Sequence, residues 1–537
     1  MKQSNTEEES FYPLSLPGIK LYGIEKWLDE FKPILPGSEF QKGYELIFDV
    51  FASLVNCQNR DSALYWSGAV NYKAPMLLAE SYFRYLCLCK LKKQGISKVF
   101  LQKEIEIDAA ISDTVDATFT DEQRYSISEK ERLLERLRLM KLNFKSYGVK
   151  KAVTSLFPDY QCALITDPES KDVKRFVNEN RMAPQCLRPS VFLPAKAYID
   201  SLNEEPAKEA IQFVKDFFEK VSAEDQNFKS FFNKRLQQKM TDMFSKTIRV
   251  LDYFNNTLKK NRLGTLLVQS VTSPESRMLA AAWKRLNGET IGFCHGNGYL
   301  TSYGGSDVNN GTHLVVDKYI VSCGGEKILT DFIREKMQSK FSRNDEIIAL
   351  QTPYYRELFE SMQGDPEVKE IKKIMFVGYP MDYHFDPYLV EHNTISYTHL
   401  VLRIMKVLRK AGYYIQYKDH PDTLSQTDGF FEEYADEVIT TNFDKVYKEA
   451  DCFFFITPYT TTFGYSAMTK IPMVYVNNLN FNFWQPDLKK LLDKRAVAFD
   501  VTSAGDGVLQ FSDDDLLTSV EKSLKQVNHE VVKQFAF

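Results

Sequence analysis

Three short stretches combine residue types suited to holding an anion or moving a proton. The first is Lys418-Asp419-His420-Pro421, directly after the strand-like run 413–417. Proline has no N–H for a strand ladder, so Pro421 ends the strand and fixes a turn. Lys418 and His420 are two residues apart and share one face of an extended chain. An ammonium beside a donor imidazole suits a phosphate. The plain alternative is a strand-to-loop turn with both side chains in solvent.

The second stretch follows the apolar run 452–457. Thr460, Thr461 and Thr462 lead into Gly464, then a short helix, then Ile471-Pro472 and another strand. Hydroxyls and backbone N–H groups at a helix N-terminus make an anion site, although a threonine there also serves as an ordinary helix cap. Gly378, closing the strand-like run 374–378, is counted with these donor-binding candidates. The third stretch, FCHGNGYLTSYGGSD at 293–307, follows a strand. It carries His295, four glycines that let backbone approach a ligand, and Asp307. It matches neither the G-x-G-x-x-G nor the Walker A pattern. His295 or Asp307 is expected as a general base, against the alternative of a turn with a structural histidine. Six of the seven histidines fall between 295 and 420.

These stretches need elements to aim them, and the chain alternates strand and helix. Strands are expected at 98–102, 162–166, 264–270, 290–294 and 314–322. After a charged linker at 362–373, a second series follows at 374–378, 413–417, 437–440, 452–457, 473–476 and 496–501. Helices are expected between them, at 75–93, 126–146, 273–287, 396–411, 442–450 and 513–528, and across most of 206–262. The run 45–54 reads as a strand or a short helix. Such alternation predicts an α/β fold of two Rossmann-like domains with parallel sheets facing a cleft. The expected division is 1–365, with a helical insertion at about 126–262, then 366–512, then a C-terminal helix at 513–537. Ligands in such sheets lie beyond the carboxyl ends of the strands, and all three stretches follow strands.

The bulk numbers exclude several classes. At 537 residues the chain is too long for one core. A net charge of −4 argues against nucleic-acid binding over the whole surface. The eight cysteines are scattered without a C-x-x-C pair, so buried reduced thiols are expected, with neither zinc nor disulfides. The first ten residues are acidic and polar, with no signal-peptide core, and no apolar run is long enough to span a bilayer. A cytoplasmic location is therefore expected. Residues 228–262 hold nine Lys or Arg against two Asp, with Phe228, Phe231, Phe232, Phe244 and Phe254 interleaved. That pattern suits either a peripheral contact with an anionic inner-membrane face or a solvated basic face over core aromatics.

Lys418-x-His420-Pro421, followed about 40 residues later by Thr460–Gly464 and Ile471-Pro-Met-Val, resembles the donor half of GT-B glycosyltransferases that use cytidine-activated donors. These include bacterial sialyltransferases, Kdo transferases and CDP-glycerol glycerophosphotransferases. His295-Gly-Asn-Gly-Tyr299 is similar to an element of bacterial surface-carbohydrate transferases, and the likeness spans about 264–478. The resemblance implies that His420 binds the donor phosphate and assists the departing cytidine monophosphate, while Lys418 and Thr460–Thr462 hold that phosphate. It implies an inverting transfer of a 2-keto acid sugar from its CMP conjugate to a saccharide acceptor, lipid-linked or free. No metal or other cofactor is implied, since protein donors can stabilise a monophosphate leaving group. The acceptor base is an acid in the sialyltransferases; Asp167, His295 and Asp307 are the candidates here. Polyol-phosphate transfer, a non-catalytic nucleotide-sugar-binding protein and a UDP-sugar epimerase on the same fold are the alternatives.

Overall fold

The computed structural model describes residues 11–60, 62–100, 103–119, 125–154, 160–165, 170–195, 205–269, 273–294, 313–337, 346–350, 353–378, 394–420, 427, 429–458, 460–478, 484–503 and 508–536. Its apolar runs become buried parallel strands, as a sheet covered on both faces requires. In chain order the strands are β1 Phe11–Pro13, β2 Lys98–Phe100, β3 Glu104–Glu106, β4 Cys162–Ile165, β5 Gln185–Cys186, β6 Thr265–Gln269, β7 Glu289–Phe293 and β8 Lys318–Val321. They continue as β9 Glu346–Ala349, β10 Lys373–Val377, β11 Tyr414–Lys418, β12 Glu437–Ile439, β13 Cys452–Phe455, β14 Met473–Asn478, β15 Val497–Ser503 and β16 Leu509–Gln510.

One sheet has the order β5-β4-β6-β7-β8-β9 and is parallel throughout. A second has the order β12-β11-β10-β13-β14-β15-β16, parallel except for β16. Among its parallel strands the chain builds outward from β10 to β11 and β12, then returns to the other side for β13, β14 and β15. That is the Rossmann strand order, with its reversal between β10 and β13. The fold is therefore α/β with two Rossmann-like units, GT-B-like in that respect. A small sheet, β1-β2-β3, stands apart from both.

Edges and faces are closed by side chains as well as by ladders. The short edge strand β5 has no strand on its outer side among the described residues. The fully buried Asn143, on the helix Glu129–Thr154, completes it: Asn143 Oδ1 accepts from the Cys186 N–H at 3.0 Å, and Nδ2 donates to the Cys186 carbonyl at 3.3 Å. An unpaired strand edge would otherwise leave buried polar backbone.

Several expectations change. Residues 45–54 lie within one helix, Gly37–Asn56, whose apolar positions feed the same core as the helices Ala74–Lys93, Glu205–Glu224 and Lys234–Leu258. The strand expected over 314–322 covers only Lys318–Val321. The five phenylalanines at 228–254 are 0–1% exposed, all in that first core. They offer no apolar face to a membrane, and the peripheral contact expected through 228–262 is corrected. Their spacing served helix packing, with Phe228 stacked on Phe232 at 5.3 Å.

The sequence placed residues 1–365 together, but the two ends of the chain cross between units. Leu16, Ile19, Trp27 and Phe31 sit in a buried cluster with Ile374, Phe376, Leu400 and Tyr417 of the second unit. At the other end, the helix Glu530–Ala536 packs against the helix Gly324–Met337 of the first unit. Val531 and Val532 share a cluster with Cys323, Leu329, Met375 and Phe455.

Candidate functional site

The candidate donor-binding residues of the second unit lie at the strand reversal. In register, Val377 at the end of β10 lies beside Lys418 on one flank and Phe455 on the other. Paired residues in parallel strands point to one face. Val377 and Phe455 pack with Phe463 in one cluster, so the Lys418 side chain leaves the sheet on the face covered by the helix Thr461–Met468. Neighbouring strands are about 4.8 Å apart, so the carboxyl ends of β11 and β13 are separated by roughly 10 Å across β10. The helix Thr461–Met468 and the Lys418–His420 segment thus follow the two strands that flank β10, where the strand order reverses.

Gly378 closes the space between β10 and β11. Its N–H donates to the Lys418 carbonyl at 2.8 Å. A Cβ at this position would lie 2.7 Å from that same oxygen, 3.0 Å from the Tyr417 hydroxyl and 3.3 Å from the His420 nitrogen. Only glycine lets the two strand ends come this close.

Lys418 is buried, and its Nζ donates to the Asp419 carbonyl at 2.5 Å. Burial pulls its ammonium below the ordinary lysine value, against the opposing pull of the Asp419 carboxylate. Asp419, unremarked in the sequence, is the anchor of this segment. Its N–H donates to the Ile439 carbonyl at 2.9 Å, carrying the ladder one residue past β11. Its carboxylate accepts from the Thr427 hydroxyl and from the His420 N–H, the latter at 2.9 Å. His420 is half-buried at the rim. Pro421 lies outside the described residues.

Thr460 caps the helix Thr461–Met468: its hydroxyl oxygen accepts from the Phe463 N–H at 3.2 Å. The capping alternative is therefore realised. It leaves the hydroxyl hydrogen available, because the cap uses only the oxygen as acceptor. The first N–H groups of a helix lack intrahelical partners, and those of Thr461 and Thr462 are the ones concerned here. Gly464 is not in a loop, as expected, but is buried within the helix. At the far end, Arg495 is fully buried and donates to the carbonyls of Ser466, Ala467, Thr469 and Ile471 at 2.8–3.0 Å. It ties down the helix's carboxyl end, where a cation meets the negative pole of the dipole.

The first unit presents a polar cluster at the carboxyl edge of its own sheet. Ser322, just after β8, donates through Oγ to Asp172 Oδ2 at 2.7 Å and through its N–H to Glu326 Oε2 at 2.6 Å. The Cys294 thiol, just after β7, hydrogen-bonds the Glu326 carboxyl. Burial pushes that carboxyl up, against the Cys294 and Ser322 hydrogen bonds that pull it down. Burial pushes the Cys294 thiol well up too. Gln269, ending β6, donates to Ser170 Oγ at 3.2 Å and to the Cys294 carbonyl at 3.1 Å. The signal was Ser322-Cys323-Gly324-Gly325-Glu326 after a strand, a Gly-rich turn that the sequence reading passed over. Asp167, His295 and Asp307 lie outside the described residues.

The remaining histidines do not form one site. His399 is buried between Trp27 and Phe31, its Nε2 3.1 Å from the Leu28 carbonyl. His529 meets the Thr469 carbonyl at 2.9 Å, and His313 lies tilted against the Tyr319 ring, 3.9 Å between centroids. His384 and His392 lie outside the described residues. Among the described residues, no group of three or more His, Cys, Asp or Glu is placed to hold a metal ion, and no helix is long and apolar enough to cross a membrane.

No protein-family model and no curated protein matches the sequence. Among solved structures, the chain is similar to UDP-GlcNAc 2-epimerase of Methanocaldococcus jannaschii, determined in complex with UDP-GlcNAc and UDP. The identity is 12% over 70% of this chain and 97% of that one, at a TM-score of 0.35. It is also similar to MurG of Acinetobacter baumannii, at 12% identity over 54% of this chain and 74% of that one, at a TM-score of 0.30.

Proposed function

We propose that this chain is a glycosyltransferase taking its sugar from a CMP conjugate, with the donor phosphate at the crevice between β10, β11 and β13. One observation carries the proposal. The register Lys418–Val377–Phe455 puts a buried ammonium on the same sheet face as a helix whose capped N-terminus follows β13. Among the described residues Lys418 has no ion pair within hydrogen-bonding reach, only the Asp419 carbonyl and the weaker pull of the Asp419 carboxylate, and a buried ammonium so placed is costly. A phosphate placed here would meet that ammonium, the first N–H groups of the helix Thr461–Met468 and the Thr460 hydroxyl.

In the transfer, the acceptor hydroxyl oxygen attacks the anomeric carbon as its bond to the phosphate oxygen breaks. The electron pair leaves with CMP, and the acceptor proton passes to a base. Lys418 and the helix N-terminus stabilise the charge that develops on CMP, and His420 donates to the departing phosphate. Attack opposite a directly displaced group inverts the anomeric centre. Of the described carboxylates at the first unit's sheet edge, Asp172 is the base we favour, because it is only half-buried whereas Glu326 is enclosed. A 2-keto acid sugar fits the resemblance, and no metal is required on this reading.

The test is a thermal-shift titration with CMP, CDP, UMP and UDP without metal. A ligand that binds only the folded state raises the melting temperature by mass action. CMP is expected to raise it, and His420→Ala to lose the shift while melting like the wild type. Absence of a shift with every nucleotide, or a shift untouched by His420→Ala, would sink the proposal. A shift with UDP and not with CMP would replace the cytidine donor.

A further inference from the structure

The helix Glu129–Thr154 has two apolar faces. One is covered: Glu135, Leu139 and Asn143 are buried, and Leu139 packs with Leu164, Leu267 and Phe293 of the first unit's sheet. The other faces outward. Of the nine exposed large apolar side chains among the described residues, five lie on this one helix. Leu133 is 59% exposed, Leu137 53% and Phe144 57%. At about 100° per residue these three fall within roughly 40° of one another, on the side away from Leu139. Scattered surface leucines need no explanation, but an aligned stripe does.

The charges around the stripe say what covers it. Lys130, Lys141 and Lys145 follow one edge, and Arg136 stands on the other. The helix's three carboxylates are already engaged. Glu129 pairs with Arg132 at 2.6 Å, Glu131 accepts from Ser128, and the buried Glu135 pairs with Arg138 and Arg188. No acidic residue follows Glu135 on this helix. A straight apolar stripe edged by unopposed cations matches an anionic lipid surface, with the side chains in the acyl boundary and the ammonium groups at the headgroups. We infer that the helix Glu129–Thr154 is a docking surface for an anionic membrane. The inference does not rest on the transferase reading, and it moves membrane contact from 228–262 to a helix whose apolar residues are exposed.

The test is co-sedimentation of the full chain with vesicles of phosphatidylcholine and phosphatidylglycerol, and with phosphatidylcholine alone. Wild type is expected to bind the anionic vesicles and not the neutral ones. The triple variant Leu133→Ser, Leu137→Ser, Phe144→Ser is expected to bind at least roughly tenfold more weakly. Lys130→Gln, Lys141→Gln, Lys145→Gln together are expected to weaken binding and flatten its salt dependence. Because every altered side chain is exposed, both variants should melt like the wild type and keep any nucleotide-induced shift. Failure to bind anionic vesicles, or binding that neither variant changes, overturns the inference. So does a wild-type dimer in light scattering that the serine variant renders monomeric, which would make the stripe an interface between copies.

Discussion

At the scale of single residues, the crevice depends on groups whose value lies in what they leave out. Gly378 has no side chain, and the space saved is filled by the Lys418 carbonyl. Gly378→Ala is expected to push the ends of β10 and β11 apart, because the clash is with backbone. That should cost about 1–3 kcal/mol in denaturant unfolding and weaken the nucleotide shift; a variant with wild-type stability would show that the strand ends are not so tightly held. Lys418 and His420 stood out in the sequence because their types state their chemistry, whereas the expected role of Pro421 falls outside the described residues. Gly378 was legible as a strand end counted with the donor-binding candidates, but not as the residue that lets β10 and β11 close up. Asp419 was not legible as an anchor, since its partner Thr427 lies eight residues on in the chain and no local pattern pairs the two.

At the scale of elements, the helix Thr461–Met468 is held from its far end. Burial pulls the Arg495 guanidinium well down, to about 9; of the four carbonyls it serves, those of Ser466 and Thr469 also meet the Thr469 hydroxyl and His529. Arg495→Met is expected to take a donor from all four, leaving Ala467 and Ile471 the worst served, and to cost about 3 kcal/mol in chemical denaturation. Nucleotide binding should weaken with it; stability unchanged in this variant would mean those carbonyls find other donors. Most strands could be read in advance, because a strand buried on both faces is an apolar run and little else is. Helices were harder. The run 45–54 is apolar enough for either element, and its length as a helix is set by the core it joins. The phenylalanines at 228–254 carried helical spacing that fits a protein core and a lipid surface equally well. Only the partners decide, and Phe244 finds Phe51 and Phe213, remote in sequence.

At the scale of the whole molecule, the second unit is completed by the beginning of the chain. His399 is wedged between Trp27 and Phe31, and burial holds its imidazole at about 4 against the ordinary 6.5. Between those values the unfolded chain takes up a proton that the folded chain refuses. Stability is therefore full above 6.5 and falls as the pH drops through the window, by about 3 kcal/mol at its lower end. Comparing His399→Leu with wild type near neutral pH and near pH 4.5 should show a smaller loss in the variant; equal losses would place the pH sensitivity elsewhere. Nothing in the local pattern of 11–31 announced this docking, since a short amphipathic helix does not name its sheet. The crossing has a consequence for synthesis. Trp27 and Phe31 leave the ribosome roughly 340 residues before β10 exists, which at about 5–20 residues per second is on the order of tens of seconds. During that interval the segment has no sheet to bury it, so the newborn chain exposes an adhesive apolar stretch until the second unit emerges, and a holding chaperone would find a binding site there.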